Sequence, residues 1–192
     1  MNRSSFLRQT EHRTVTLWLT YDHAQAIARH AQEESPREAC GLIVGVSARA
    51  DHTIPIPNVA ADPLHNYEMD SAAFMLAMAE VQRARLQLIG IYHSHPHSEP
   101  LPSPTDIACA SYPDTPYVIV SLYGSHPCFA AWNIRGHRVE RADLHIGINS
   151  PPPAPTNLSS AGKTAIVISI AVAFIFLIVL SLALLPPAPP IP

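Results

Sequence analysis

The residues best equipped for chemistry lie in Ile91-Tyr92-His93-Ser94-His95-Pro96, followed seven residues after the proline by Ser103-Pro104-Thr105-Asp106. The apolar run Leu88 to Tyr92 reads as a buried strand, and residues two apart on a strand point to the same side, so the imidazoles of His93 and His95 converge. Asp106 arrives after a proline-punctuated loop, at the start of a helix for which Ser103 supplies the cap and Pro104 the first turn. Two nitrogens and one carboxylate make three ligands, the number with which a catalytic zinc keeps a fourth position open for water. Of the other histidines, His97 is again two residues from His95, but Pro96 cannot donate to a sheet and marks the strand's end, which places His97 on an exposed loop where it can touch substrate. The remaining histidines, His30 among them, default to the surface.

These ligands need elements to hold them. Ala24, Ile27, Ala28 and Ala31 recur at helical spacing from Tyr21 to Glu34. Cys40 to Val46 is a short apolar strand, followed by a turn over Ala48 to His52 and an extended segment from Thr53 to Val59, confined to an edge or an irregular path by Pro55 and Pro57. Asp70 and Ser71 cap a helix that runs to about Arg85, with Phe74, Met75, Met78 and Val81 as its core stripe. After the histidine strand come a helix from Ser103 to Ala110 and strands at Tyr117–Leu122, Phe129–Ile134 and Arg138–Leu144, the last two joined by a hairpin at Gly136. The expected class is α/β: a mixed β-sheet with packed helices in a sandwich.

Composition sets the outer limits. With 192 residues, 47% of them hydrophobic, the chain can build one real core. Residues 1–15 read as a flexible lead-in, 16–148 as the folded domain, 149–163 as a Pro/Ser-rich linker, 164–185 as a transmembrane helix and 186–192 as a short Pro-rich tail. The 21 residues 165–185 carry no charge, and as a helix they would be roughly 31 Å long, enough to cross the hydrocarbon of a bilayer. The first twenty residues contain no apolar stretch of signal-peptide length, so a single-pass C-terminal anchor with the folded domain in the cytoplasm is expected. The net charge of −3 and a single lysine give no basic patch, which argues against nucleic acid as a partner. Cys40, Cys109 and Cys128 are odd in number and widely spaced, and read as reduced core residues rather than a disulfide or zinc framework.

His93-Ser94-His95-Pro96 with Ser103 and Asp106, taken together with Glu38 in Pro36-Arg37-Glu38-Ala39-Cys40-Gly41-Leu42-Ile43-Val44-Gly45, closely resembles the JAMM (MPN-plus, or JAB) zinc metallopeptidase family, in particular its prokaryotic type, over about residues 15–145. The resemblance implies one zinc ion per chain held by His93, His95 and Asp106, with Glu38 acting on the bound water and Ser103 helping to hold the tetrahedral intermediate. It also implies a JAMM/cytidine-deaminase-like fold and a substrate class, an amide or isopeptide bond after the C-terminal tail of a ubiquitin-like or sulfur-carrier protein. The segment Asn58 to Asp70, with His65, Asn66 and Tyr67, is expected to border the groove for that tail, which strand addition at a sheet edge could hold. One rival is a catalytically silent MPN-type module serving as a membrane-tethered scaffold, against which the intact ligand set and Glu38 stand. Another is the RadC-like branch, which usually has asparagine where Ser94 stands here.

Overall fold

The computed structural model describes residues 16–147 and Phe174. The chain divides into two units, Met1–Ser150 and Pro151–Pro192, and every strand and helix below belongs to the first. The expected membrane span 165–185 lies, Phe174 apart, outside the described residues, as do the lead-in, the linker and the tail; among the described residues no helix is long and apolar enough to cross a membrane.

The elements run β1 (Thr16–Leu19), α1 (Tyr21–Glu34), β2 (Cys40–Val46), β3 (Arg49–Ile56), α2 (Ser71–Arg83), β4 (Gln87–His95), α3 (Pro104–Cys109), β5 (Tyr117–Ser121), β6 (Cys128–Arg135) and β7 (Arg138–Ile146). The sheet is mixed, as expected, but it closes on itself in the order β1-β3-β2-β4-β5-β6-β7. The sheet of the expected sandwich is therefore a closed barrel with helices packed on it. What closes it is β1, a strand too short to register in the sequence pattern: it pairs in parallel with β7 over four residues and with β3 in register at Trp18 and Arg49. Among the described residues no further ladder pair lies on the outer side of β3, where Pro55, with no N–H to donate, is accommodated opposite Gly41 of β2. Closure leaves little edge for strand addition, and the loop after β3 has a ribbon of its own, joining Asn58 to Met69.

Two further expectations shift. β3 begins at Arg49 rather than Thr53, because the turn from β2 is only Ser47-Ala48, both with positive φ, closed by the Val46–Arg49 pair. Two-residue turns of that kind ordinarily announce themselves with Asn-Gly or Asp-Gly, and none is present. In α2, capped by Asp70 through its bond to the Ala73 N–H at 2.7 Å, Val81 is buried and Phe74 and Met78 pack on the core, but Met75 is 66% exposed. It borders a groove described below instead of filling the interior. The Gly136 hairpin is as expected, with φ of +59° at the glycine.

Alternation along the strands sorts the core into two clusters. Tyr92 of β4 joins Ile43, Val118 and Val120 in a cluster that also holds Ile27 and Ala31 of α1, whereas Ile91 joins Leu42 and Tyr117 in the cluster with Ala77 and Val81 of α2. His93 and His95 share the parity of Ile91, so they emerge on the α2 side of the sheet. Gly41 is required at the pairing of β2 with β4, since a Cβ there would lie 2.5 Å from the Tyr92 ring and 2.4 Å from the Ile54 carbonyl.

Candidate metal centre

β4 carries both histidines into the interior; His93 is fully buried and His95 is 4% exposed. α3 starts beside them. Ser103 caps it, its Oγ accepting from the Asp106 N–H at 3.1 Å, while Asp106 Oδ2 accepts from the Ser103 N–H at 2.7 Å. That reciprocal pair fixes the carboxylate against the helix N-terminus with each of its oxygens facing one imidazole. His93 Nε2 and His95 Nε2 stand 3.2 Å apart, Asp106 Oδ1 is 3.4 Å from the first and Asp106 Oδ2 is 3.4 Å from the second.

Those separations fit an ion. Tetrahedral ligands at roughly 2.0–2.1 Å from zinc sit about 3.3 Å from one another, and the three side chains are buried together and could hold one metal. The protons agree with this use. His95 Nδ1 donates to the Glu99 carbonyl at 2.9 Å, leaving Nε2 a lone pair directed into the cluster. Burial lowers the pKa of His93, outweighing its hydrogen bond and attraction to Asp106, so its neutral form is favoured. His95 is also disfavoured as a cation by burial, but Asp106 and the Glu99 carbonyl outweigh this and raise it. Burial pushes the Asp106 carboxyl up, yet the hydrogen bonds from His93 and His95 hold it well below the usual carboxylate range. Asp106 is ionised at any working pH.

Glu38 enters from the segment just before β2. β2 and β4 are antiparallel with Cys40 opposite His93, and Ser94 and Ala39 exchange two bonds, Ser94 N–H to the Ala39 carbonyl at 2.9 Å and Ala39 N–H to Ser94 Oγ at 2.8 Å. Continuing that register sets Glu38 across from His95. Glu38 is 5% exposed, and its Oε2 is buried with no hydrogen-bond partner among the described residues. Burial raises its pKa to about 7, opposed by His95 and reinforced by Asp106. A carboxyl with that affinity can take and return a proton near neutrality.

The loop from 58 to 70 covers the centre. Tyr67 stacks on His93 with ring centroids 4.4 Å apart and planes 22° from parallel. Asn66 and Tyr67 line a groove of about 730 Å³ together with Phe74, Met75, Thr105 and Tyr112, and Thr105 adjoins Asp106, so the groove opens next to the ligands. His97 is exposed and takes no part in this lining. Ser103 is engaged as a cap, but accepting through a lone pair leaves its hydroxyl proton available.

Sequence reasoning missed Asn58. Buried at 8% exposure, its amide donates to the carbonyls of Glu38 at 2.8 Å and Asn66 at 3.1 Å, and its oxygen accepts from the N–H groups of Ala60 and Glu68, both at 3.0 Å. A lone asparagine before a loop gives no signal that it ties two parts of a site together. Ser98, Ser121 and Trp132 were also unremarked: the Ser98 carbonyl accepts from Ser121 Oγ at 2.6 Å and the Pro100 carbonyl from the Trp132 indole at 2.9 Å, which pins the loop carrying the Glu99 carbonyl. One surface assignment and one core assignment change. His30 is half-buried with Nδ1 2.9 Å from the Tyr92 hydroxyl, and of the three cysteines only Cys40 is buried, since the short α3 and the start of β6 leave Cys109 and Cys128 exposed.

Residues 20–135 match the family described as prokaryotic homologs of the JAB domain. The chain belongs to that family. Among relatives of this JAB-domain protein, the desampylase of Haloferax volcanii is 38% identical over 114 residues, covering 56% of this chain and 82% of the relative. The CysO-cysteine peptidase of Mycobacterium tuberculosis is 36% identical over 107 residues, covering 55% and 73%. In three dimensions the JAB domain is similar to the solution structure of a protein from Desulfitobacterium hafniense, with a TM-score of 0.64, 25% identity, and coverage of 71% of this chain and 96% of the other.

Proposed function

We propose that this JAB-domain protein is a zinc-dependent peptidase or isopeptidase that hydrolyses the amide bond after the C-terminal tail of a ubiquitin-like or sulfur-carrier protein. The observation that carries the reading is the convergence of His93, His95 and Asp106 at ligand spacing beside a buried Glu38 carboxylate whose Oε2 has no partner among the described residues. The substrate class is supported by relatives named as a desampylase and a CysO-cysteine peptidase.

His93, His95 and Asp106 would hold one zinc ion, which when bound brings the pKa of water down to about 7 and polarises a carbonyl. Glu38 accepts the proton of the attacking water on Oε2 and delivers it to the departing amine, so that the amide and one water become a carboxylic acid and an amine. Ser103, with its hydroxyl proton uncommitted, donates to the oxygen that gathers charge as the carbonyl is attacked. Asn66 and Tyr67 form the wall along which the extended tail lies. The apolar segment 165–185 anchors the chain in a bilayer and keeps the domain on the cytoplasmic face.

The test uses the purified full chain, a carrier protein extended by a linear peptide, and the same carrier joined through a lysine isopeptide. Stoichiometric zinc by elemental analysis, cleavage after the carrier's last residue, loss with a chelator and recovery with zinc are expected. A zinc-loaded protein that cleaves neither substrate overturns the proposal. Membrane fractions from which alkaline carbonate strips the full chain would remove the anchor.

A further inference from the structure

We infer that Tyr67 is a positioning residue for the metal centre: its ring, stacked on His93, holds that imidazole in its ligating orientation in place of a hydrogen bond at the second ring nitrogen. The inference rests on the reading of His93, His95 and Asp106 as ligands.

A metal-ligating imidazole almost always donates its other N–H to a carboxylate, carbonyl or water, which sets both tautomer and ring rotation. His95 follows this pattern through Glu99. His93 does not, because its Nδ1 is buried and no group among the described residues accepts from it. What His93 has is a broad neighbour. The Tyr67 ring lies 4.4 Å away and nearly parallel, so turning the imidazole about its Cβ–Cγ bond would drive its edge into the tyrosine.

A stacked ring can orient a ligand only if it is itself held. Tyr67 sits between Asn66 and Glu68, and the Asn58 side chain binds the main chain on both sides of it, taking the Asn66 carbonyl and the Glu68 N–H. The Val59 N–H donates to the Glu68 carbonyl at 2.8 Å, closing the same ribbon. The amide that fixes Tyr67 also donates to the Glu38 carbonyl, so one buried side chain references the stacking ring and the proton carrier to each other. A tyrosine present only to wall the groove would affect substrate and leave metal binding alone.

That difference is the experiment. Zinc affinity of the full chain is measured by competition with a chromophoric chelator, and the ligand field by the visible absorption of the cobalt-substituted protein, for the wild type, Tyr67→Phe and Tyr67→Leu. Phenylalanine keeps the ring and should bind zinc within about threefold of the wild type; leucine should bind about 10- to 100-fold more weakly, the usual loss when the partner orienting a ligand is removed. Excess zinc should restore full metal occupancy to the leucine variant, since all three ligands remain. A leucine variant with wild-type zinc affinity overturns the inference while leaving the peptidase reading in place, and so does a phenylalanine variant as weak as leucine. A wild type that binds no zinc removes both. Should leucine prevent folding, as judged by circular dichroism, Tyr67→Met fills similar volume without a ring and is read by the same criterion.

Discussion

Glu38→Gln separates what the buried carboxylate does for catalysis from what it does to stability, and the two effects should have opposite signs. Glutamine keeps the shape and leaves His93, His95 and Asp106 untouched, so zinc content should stay at one per chain. Turnover should fall by about 10² to 10⁴, the usual contribution of a general acid/base. Stability of the zinc-free protein should rise. Burial moves the Glu38 pKa from 4.5 to about 7, which at about 1.36 kcal/mol per pKa unit corresponds to about 3 kcal/mol between the protonated and ionised forms. Because the folded state holds this proton more tightly than the unfolded chain, the associated stability is complete below pH 4.5 and is lost as pH rises through about 7. Zinc-free wild type should therefore be less stable than Glu38→Gln at pH 8, by up to about 3 kcal/mol, and the gap should close toward pH 4.5. Urea unfolding in chelator at pH 4.5, 6 and 8, paired with single-turnover cleavage of the zinc-loaded proteins, measures both. A glutamine variant that turns over within threefold of the wild type, or a stability difference independent of pH, would refute the reasoning.

Two other perturbations test the frame around the site. Native protein treated with a thiol reagent at pH 8 should gain two adducts by mass, at exposed Cys109 and Cys128, while Cys40 stays unmodified until the protein is unfolded, because burial pushes its thiol up to about 12; three rapid adducts would contradict this. Gly41→Ala places a methyl 2.4–2.5 Å from the Ile54 carbonyl and the Tyr92 ring, and should destabilise by about 3 kcal/mol or prevent folding, measured as a fall in the denaturant midpoint; an unchanged midpoint would show that β2 and β4 can separate at that point.

The ligand set was readable because its geometry is local. His93 and His95 are fixed on one face by strand parity, and Asp106 is fixed by the Ser103-Pro104 helix start, so spacing alone brings three donors together. Glu38 was different: nothing in its neighbourhood marks it, and only the family resemblance singled it out, since what brings it to the centre is the β2–β4 register, a contact between residues more than fifty apart. Asn58 was invisible for the same reason. Barrel closure escaped because it depends on four residues of β1 that pair with the far end of the domain. Met75 was placed in the core because helical periodicity registers apolar character and cannot register whether the facing space is filled by protein or left as a groove.

All three donors for the ion lie within the single stretch from His93 to Asp106, whereas the carboxylate that handles protons comes from the segment leading into β2. Grip and reactivity are thus separable properties of this molecule. A copy whose β2–β4 ladder has opened keeps its three donors close along the chain but has lost the residue that makes water dangerous to an amide. The two halves of the chemistry therefore depend on different parts of the chain, and only the closed ladder brings them together.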